Sequence, residues 1–141
     1  MIRPLAPGDE AGAFAVENAC LDTAWSEKQI AESVKNGNKY FVHCGENGLI
    51  TGIISAVFSC GECEIMNIAV IEEYRKKGVG SALLACIEYE AAKEGAEKIF
   101  LEVAETNKTA YEFYINHQFV CVGRRKGFYR GTDALIMEKK L

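Results

Sequence analysis

A glycine-rich segment with three cationic side chains reads Arg75-Lys76-Lys77-Gly78-Val79-Gly80-Ser81. It follows a strand-like run and opens a segment with helical periodicity. The two glycines let the backbone turn tightly and approach a ligand closely. The first amides of a helix have no acceptors within the helix, and the helix dipole adds partial positive charge there. Together with the cationic side chains, these features favour the binding of a pyrophosphate group.

Two common phosphate-binding motifs do not fit this segment. The Walker A pattern GxxxxGK[ST] is absent, and the dinucleotide pattern GxGxxG would need glycine or alanine where Leu83 stands. The dinucleotide pattern also expects an acidic residue at the end of the next strand, whereas Glu102 lies within that strand. A polar loop that merely turns into a helix is the alternative that these residues leave open.

The pair Cys60 and Cys63 forms a CxxC motif, which is a possible metal or redox site. A zinc site of this type needs a second pair, and the sequence contains no second CxxC. A thioredoxin-type CxxC opens a helix, but this one lies between two strand-like runs. We therefore expect a structural role and no bound metal.

Periodicity predicts the elements that must position these groups. The Ser26-x-x-Gln29 capping box marks the start of one helix, with Trp25 and Ile30 placed as a hydrophobic staple. A helix between two strands implies a right-handed crossover and one parallel pair. We expect a mixed α/β sheet, mostly antiparallel, with helices on both faces. The predicted strands are 2–6, 40–44, 49–59, 62–71, 98–104, 119–122 and 134–137, and the predicted helices are 9–21, 26–35, 78–95 and 107–116.

Length and composition restrict the possible classes of protein. The 141 residues suit a single domain spanning 1–141, and the 49% of apolar residues excludes a disordered chain. A net charge of −4 argues against a general nucleic-acid-binding surface. No apolar run is long enough to span a membrane, and no export signal is evident, so we expect a cytoplasmic protein.

The phosphate-binding segment also carries a family resemblance. Arg75-x-x-Gly78-x-Gly80 is similar to the Q/R-x-x-G-x-G/A motif of the GNAT acetyltransferase superfamily, and the predicted order of elements resembles that fold. Within it, the chain resembles RimI-type ribosomal-protein-alanine N-acetyltransferases over nearly its whole length. The segments that carry this likeness are 25–28, 67–70, 74–84, 101–103, Asn107, Tyr114, 124–125, 128–129 and 133–137.

The resemblance implies acetyl-CoA as co-substrate and assigns residues to it. The backbone of Ile68, Ala69 and Val70 would hold the cofactor, and one of these N–H groups would polarise the thioester carbonyl. The amides from Lys76 to Ser81 would bind the pyrophosphate, and Asn107 would contact the cofactor as well as cap a helix. The strands of Ile68 and Glu102 should splay apart to admit the pantetheine arm.

Two residues are expected to move protons in this chemistry. Glu102 is the candidate general base, because a protonated amine is not a nucleophile and a charged side chain on a covered strand is costly without a role. Tyr114 matches the family position of the general acid for the departing thiolate; the alternative is that it is a core aromatic like Tyr111 and Phe113. His43 and His117 match no catalytic position of the family.

The acceptor is the less constrained part of the prediction. We expect the N-terminal alanine of a small-subunit ribosomal protein, acetylated by direct attack in a ternary complex. A small-molecule amine or lysine acceptor, or a non-catalytic CoA-binding module, remains an alternative. The chain departs from the RimI pattern at Ala24, Ala104 and Gln118, all outside the expected CoA contacts. A basic run at Arg124, Arg125, Lys126 and Arg130 would border the acceptor channel or form a solvated hairpin.

Overall fold

A computed structural model describes residues 1–129 and 131–141, so that only Arg130 of the basic run lies outside the described residues. The strands and helices follow one another in the order that periodicity predicts. They are β1 (Ile2–Pro4), α1 (Glu10–Cys20), α2 (Glu27–Lys35), β2 (Lys39–Cys44), β3 (Ile50–Ser59), β4 (Glu62–Val70), α3 (Val79–Lys93), β5 (Lys98–Ala104), α4 (Lys108–Asn116), β6 (Val120–Tyr129) and β7 (Thr132–Lys140), with a 3-10 turn at Glu72–Tyr74.

The strands form one seven-stranded sheet in the order β1-β2-β3-β4-β5-β7-β6. Every described pairing is antiparallel except that of β4 with β5, whose connection runs through α3. The expected mixed sheet with one parallel β-α-β pair is confirmed. Strand β6 forms one edge of the sheet, and β1 forms the other.

The parallel pair separates along its length, which confirms the expected splay. Strands β4 and β5 pair only from Glu62–Lys98 to Glu64–Phe100, although both continue further. Beyond Glu64, β4 contains a bulge, because Ser55 and Ala56 of β3 pair with Asn67 and Ile65 and leave Met66 unmatched. A bulge bends its strand and increases its twist. The two central strands therefore leave an open split in the middle of the sheet.

Helices cover both faces of the sheet and bury two clusters of apolar side chains. One cluster joins α3 and α4 to the sheet and includes Leu83, Leu84, Ile87 and Tyr114. The other joins α1 and α2 to the opposite face and includes Val16 and Ile30. The alternation of side chains along β5 places Leu101 and Val103 in the first cluster, so the intervening Glu102 belongs to the opposite face.

Local sequence signals account for the helix starts. The hydroxyl of Ser26 accepts a hydrogen bond from the Gln29 amide at 3.1 Å, and the Gln29 side chain accepts one from the Ser26 amide at 2.8 Å. The predicted capping box is therefore confirmed. Among the described residues, no helix is long and apolar enough to cross a membrane.

The closing hairpin is the main difference from the predicted elements. Strands β6 and β7 run over 120–129 and 132–140, whereas the sequence pattern predicted short strands at 119–122 and 134–137. The added length comes from pairing between the two strands, which continues past register shifts to the Tyr129–Thr132 pair. Polar residues in these strands hide the pairing from a pattern based on alternating apolar side chains.

Candidate active site

A cleft of about 630 Å³ opens where β4 separates from β5. Three regions predicted to bind the cofactor meet there, namely the end of β4, the start of α3 and the start of α4. Fifteen residues line the cleft, and nine of them are among the eleven predicted contacts. The lining residues are Cys20, Leu21, Ile68, Ala69, Val70, Arg75, Lys76, Gly78, Gly80, Ser81, Asn107, Thr109, Ala110, Phe113 and Tyr114.

The backbone before α3 is shaped to present amides to this cleft. Lys76 has φ of 60° and Gly78 has φ of 83°, so two left-handed residues flank Lys77. Such alternation turns successive N–H groups toward a common centre that suits an anion. The first helical hydrogen bond runs from the Ala82 amide to the Gly78 carbonyl at 3.0 Å. The amides between Gly78 and Ala82 consequently have no acceptor within the helix.

The side chain of Arg75 ties this loop to the end of β4. Its Nε donates to the Val70 carbonyl at 2.8 Å, and the Cys20 thiol donates to the same oxygen at 3.5 Å. Arg75 Nη2 also lies 3.6 Å from Cys20 Sγ. These contacts join α1, β4 and the glycine-rich loop at one wall of the cleft. Cys20 and its neighbour Leu21 were not predicted here, because only the tertiary fold brings the end of α1 to β4.

Two of the predicted contacts place their side chains away from the cleft. Lys77 Nζ lies 5.5 Å from the ring centroid of Tyr74, and the side chain of Val79 is buried in the core. Neither residue lines the cleft, so any contribution from them must come from the main chain.

Helix α4 closes the opposite wall. The Asn107 side chain accepts a hydrogen bond from the Ala110 amide at 3.2 Å, so its predicted role as N-cap is confirmed. Tyr114 is buried and lines the cleft, and its ring centroid is 5.4 Å from that of Phe119. Phe113, which was expected to be a core aromatic, also lines the cleft. Tyr114 is therefore part of the apolar core and also faces the cleft, so the two alternatives for this residue do not exclude each other.

His117 connects the two helices that flank the cleft. Its Nδ1 lies 2.7 Å from the Phe113 carbonyl oxygen, so Nδ1 must carry the proton and donate. In the neutral ring, Nε2 then accepts from the Ser81 hydroxyl, whose oxygen is 2.9 Å away. The ring also packs against that of Phe113 with a centroid separation of 4.3 Å. This bonding gives His117 a positioning role at the cleft that the sequence pattern did not reveal.

Glu102 lies beside a cation on the other face of the sheet. Its Oε1 is 2.9 Å from Nη2 of Arg125, and its side chain is only 13% exposed. Glu102 does not line the cleft. The carboxyl of Glu64 belongs to the same group of charges, because burial and the negative charge of Glu102 raise its pKa while Arg125 opposes the shift. Two carboxylates and one guanidinium therefore lie where the split between β4 and β5 begins.

A buried carboxylate organises the segment between α1 and α2. Glu17 is fully buried, and it accepts hydrogen bonds from the Trp25 amide at 3.0 Å, from Asn67 Nδ2 at 3.3 Å and from the Tyr40 hydroxyl. Burial raises the pKa of Glu17, although the hydrogen bonds from Tyr40 and Trp25 oppose the shift. In the sequence, the only indication that Glu17 faces inward is that it follows the apolar Ala13 by four residues, which places both on one face of the helix.

The CxxC motif is divided between solvent and core. Cys60 is exposed in the turn after β3, whereas Cys63 is fully buried on β4. Burial, with a smaller contribution from Glu64, raises the pKa of Cys63 to about 12. Within 1–129 and 131–141, no group of three or more histidine, cysteine or acidic side chains is arranged to hold a metal ion.

The sequence was compared with models of known protein families. Residues 11–119 match the model of the acetyltransferase (GNAT) family. The chain is 30% identical over 141 aligned residues to the [ribosomal protein bS18]-alanine N-acetyltransferase of Escherichia coli K12, which covers 96% of this chain and 94% of that protein.

Two solved structures extend the comparison to three dimensions. The ribosomal-protein-S18-alanine N-acetyltransferase from Escherichia coli has a TM-score of 0.89 and 28% identity, covering 99% of this chain and 92% of that one. An aminoglycoside 6'-N-acetyltransferase complexed with coenzyme A has a TM-score of 0.83 at 16% identity, covering 99% and 96% of the two chains. The second likeness shows a shared fold alone.

Proposed function

Because the chain belongs to the GNAT acetyltransferase family, we propose that it transfers the acetyl group of acetyl-CoA to the N-terminal α-amine of a protein. The proposed acceptor is the N-terminal alanine of a small-subunit ribosomal protein, which fits the likeness to the bS18-alanine enzyme. Such acceptors are made in the cytoplasm, where we place the reaction. We also propose that residues 1–141 form a single acetyltransferase domain, since one sheet includes all seven strands.

The observation that carries this proposal is the split between β4 and β5. The cleft lies at the split on one side, and Glu102 belongs to the opposite face of the same strand pair. A donor held in the cleft and an amine approaching from the face of Glu102 would therefore meet through the opening. This arrangement supports direct transfer between two bound substrates.

The donor side of the site is built mainly from backbone groups. The amides at the start of α3 suit the pyrophosphate, and the segment from Ile68 to Val70, which lines the cleft beyond the last β4–β5 pair, suits the rest of the cofactor. Acetyl-CoA would supply the activated acetyl group. Tyr114 is proposed to donate a proton to the departing thiolate. The ordinary pKa of a phenol, ~10, exceeds that of a thiol, ~8.5, so transfer between such groups is uphill by about 2 kcal/mol and calls for a preformed hydrogen bond.

Glu102 is proposed to remove the proton of the acceptor amine. An N-terminal ammonium has a pKa of ~7.7–8.0, so most of it is charged at neutral pH and must lose a proton before attack. General base catalysis typically contributes ~10²–10⁴-fold, which gives the size of the defect expected in Glu102→Gln. That defect should shrink above pH ~8, because the free amine then arrives deprotonated.

A turnover screen tests the proposed acceptor. The wild-type protein is given acetyl-CoA with an alanine-initiated ribosomal peptide, an internal-lysine peptide, a polyamine or an aminoglycoside. We expect turnover of the first peptide only, and none when its N-terminus is already acetylated. Turnover confined to the other acceptors would refute N-terminal specificity. An acetylated enzyme isolated after incubation with acetyl-CoA alone would refute direct attack.

The mechanism requires a separate comparison of variants. Glu102→Gln should lower kcat and leave the Kd for CoA nearly unchanged, because Glu102 lies outside the cleft. Glu105→Gln is a matched control, since it removes a neighbouring carboxylate that is paired with Arg124 and not with Arg125. A small defect in Glu102→Gln that is equal at every pH would remove the carboxylate from proton transfer.

A further inference from the structure

The guanidinium of Arg125 occupies a position that the proposed reaction needs for its acceptor. Arg125 belongs to β6 and pairs with Ala134 of β7, whereas Glu102 belongs to β5 and pairs with Ile136 of β7. The arginine side chain therefore reaches across β7 to form its 2.9 Å ion pair. An amine that loses its proton to Glu102 must approach the same carboxylate. The protein's own cation and the acceptor ammonium thus compete for one partner.

The rest of the surroundings favours a replaceable cation over a fixed structural one. Arg125 keeps 56% of its side chain exposed, while the Glu102 side chain keeps 13%. In the same arrangement the guanidinium lies 5.1 Å from the ring centroid of Phe128, so a cation–π contact accompanies the ion pair and does not depend on Glu102. Release from Glu102 would therefore leave the arginine partly stabilised on the hairpin.

The charge balance of the cluster explains why a cation is needed there. Glu64 on β4 and Glu102 on β5 bring two carboxylates together, and Arg125 on β6 offsets their repulsion. Without a cation, two neighbouring carboxylates compete for a proton, and one of them becomes harder to ionise. Arg125 supplies the cation beside Glu102 until an ammonium arrives to replace the guanidinium.

We propose that Arg125 is a positioning residue that holds the carboxylate of Glu102 in place in the free protein and is displaced by the ammonium of the acceptor. This inference rests on the proposed function, since it takes Glu102 as the base and a protonated amine as the incoming group. It makes Arg125 a competitor of the acceptor. An acceptor without a positive charge should bind with the same affinity whether or not Arg125 is present.

Peptide binding to the CoA-loaded protein tests this competition without requiring turnover. Calorimetry would compare the wild type with Arg125→Met, using an alanine-initiated peptide and its N-acetylated form. Partly exposed ion pairs are worth about 0.2–1 kcal/mol, so the free-amine peptide should bind about 1.4- to 5-fold more tightly to the variant. The acetylated peptide should bind both proteins equally. Added methylguanidinium should restore the weaker, wild-type affinity in Arg125→Met.

Lys140→Met is the matched control, because it removes the same charge from an exposed position of the same hairpin, at the far end of β7 from the ion pair with Glu102. It should leave the affinity for both peptides unchanged. Weaker binding of the free-amine peptide to Arg125→Met would overturn the inference and make Arg125 a direct acceptor contact. Equal affinities of the two proteins, or an equal gain for the acetylated peptide, would also overturn it.

The carboxyl titration provides a second readout. Removal of Arg125 takes away the cation that opposes the raised pKa of Glu64, so this pKa should rise further in Arg125→Met and not in Lys140→Met. Carbon-detected NMR of the labelled carboxyl groups measures this shift in the free protein. An unchanged titration would refute the role of Arg125 even if the enzyme acetylates N-terminal peptides. Failure of the wild type to acetylate any such peptide would refute the proposed function instead.

Discussion

Replacement of Gly80 by aspartate should weaken acetyl-CoA binding far more than replacement by asparagine. A Cβ atom at Gly80 would lie 3.3 and 3.4 Å from two ring carbons of Phe113, and both residues line the cleft. Either substitution therefore requires the ring to shift by a few tenths of an ångström. Only aspartate adds a negative charge beside the amides at the start of α3.

The charge component can be estimated from Coulomb's law. A carboxylate about 6 Å from one phosphate charge costs about 3 kcal/mol at an effective dielectric constant of about 20. That cost corresponds to about a 100-fold increase in Kd. The asparagine variant has nearly the same shape and carries no charge, so the ratio of the two dissociation constants isolates the electrostatic effect.

Calorimetric titration with CoA measures this ratio directly. The screening length falls from about 10 Å at 0.1 M salt to about 3 Å at 1 M, so the gap between the two variants should narrow at high salt. Thermal unfolding of both variants checks that the fold is retained. Equal dissociation constants for the aspartate and asparagine variants at low salt would show that the phosphates bind elsewhere.

Three further predictions concern the fold and its buried groups. Gly52→Ala should lower the free energy of unfolding by about 1–3 kcal/mol in urea titrations, because its Cβ would lie 3.1 Å from a side chain of α3. Gly123→Ala, with a nearest contact of 3.5 Å, should be nearly neutral, and equal costs would contradict the packing argument. Burial raises the pKa of Glu17, so the folded protein binds a proton there more readily than the unfolded chain does. The resulting gain in the free energy of unfolding is complete below the unfolded-state pKa and is lost as pH rises through the folded-state pKa. The stability of the wild type relative to Glu17→Gln should therefore increase as pH falls from about 7 to about 4.5, and a constant difference would refute this linkage. Alkylation followed by mass spectrometry should label exposed Cys60 in the native protein and Cys63 only after unfolding; labelling of both at equal rates would contradict their separation.

The starts of the helices and the glycine-rich turn before α3 could be predicted because their signals are local. The capping box of Ser26 and Gln29 satisfies backbone groups within four residues of chain. The left-handed conformation at Gly78 similarly follows from a glycine placed just before an apolar helical pattern. Such interactions join residues that are close in the sequence, so they can be recognised from one sequence alone.

The missing parts of the site depend on contacts between distant segments. Arg125 meets Glu102 only because β6 pairs with β7, and Cys20 reaches Val70 across 50 residues of chain. For Val79 only the amide was predicted at the ligand, and its side chain is buried in the core. The sequence pattern locates the glycine-rich turn at the start of α3 and leaves the contacts of each side chain undetermined.

The separation of β4 from β5 has a consequence for amide hydrogen exchange. On their outer edges these strands remain paired, β4 with β3 up to Val70 and β5 with β7 up to Ala104. In the part of the chain that the structure describes, the inner edges have no ladder pairing beyond Glu64 and Phe100. Amides that face β3 or β7 should therefore exchange slowly, while those that face the split should exchange quickly. In each strand the slowly exchanging amides thus serve as a reference for the rapidly exchanging ones. If a ligand occupies the split, exchange should slow only at the amides that face the split.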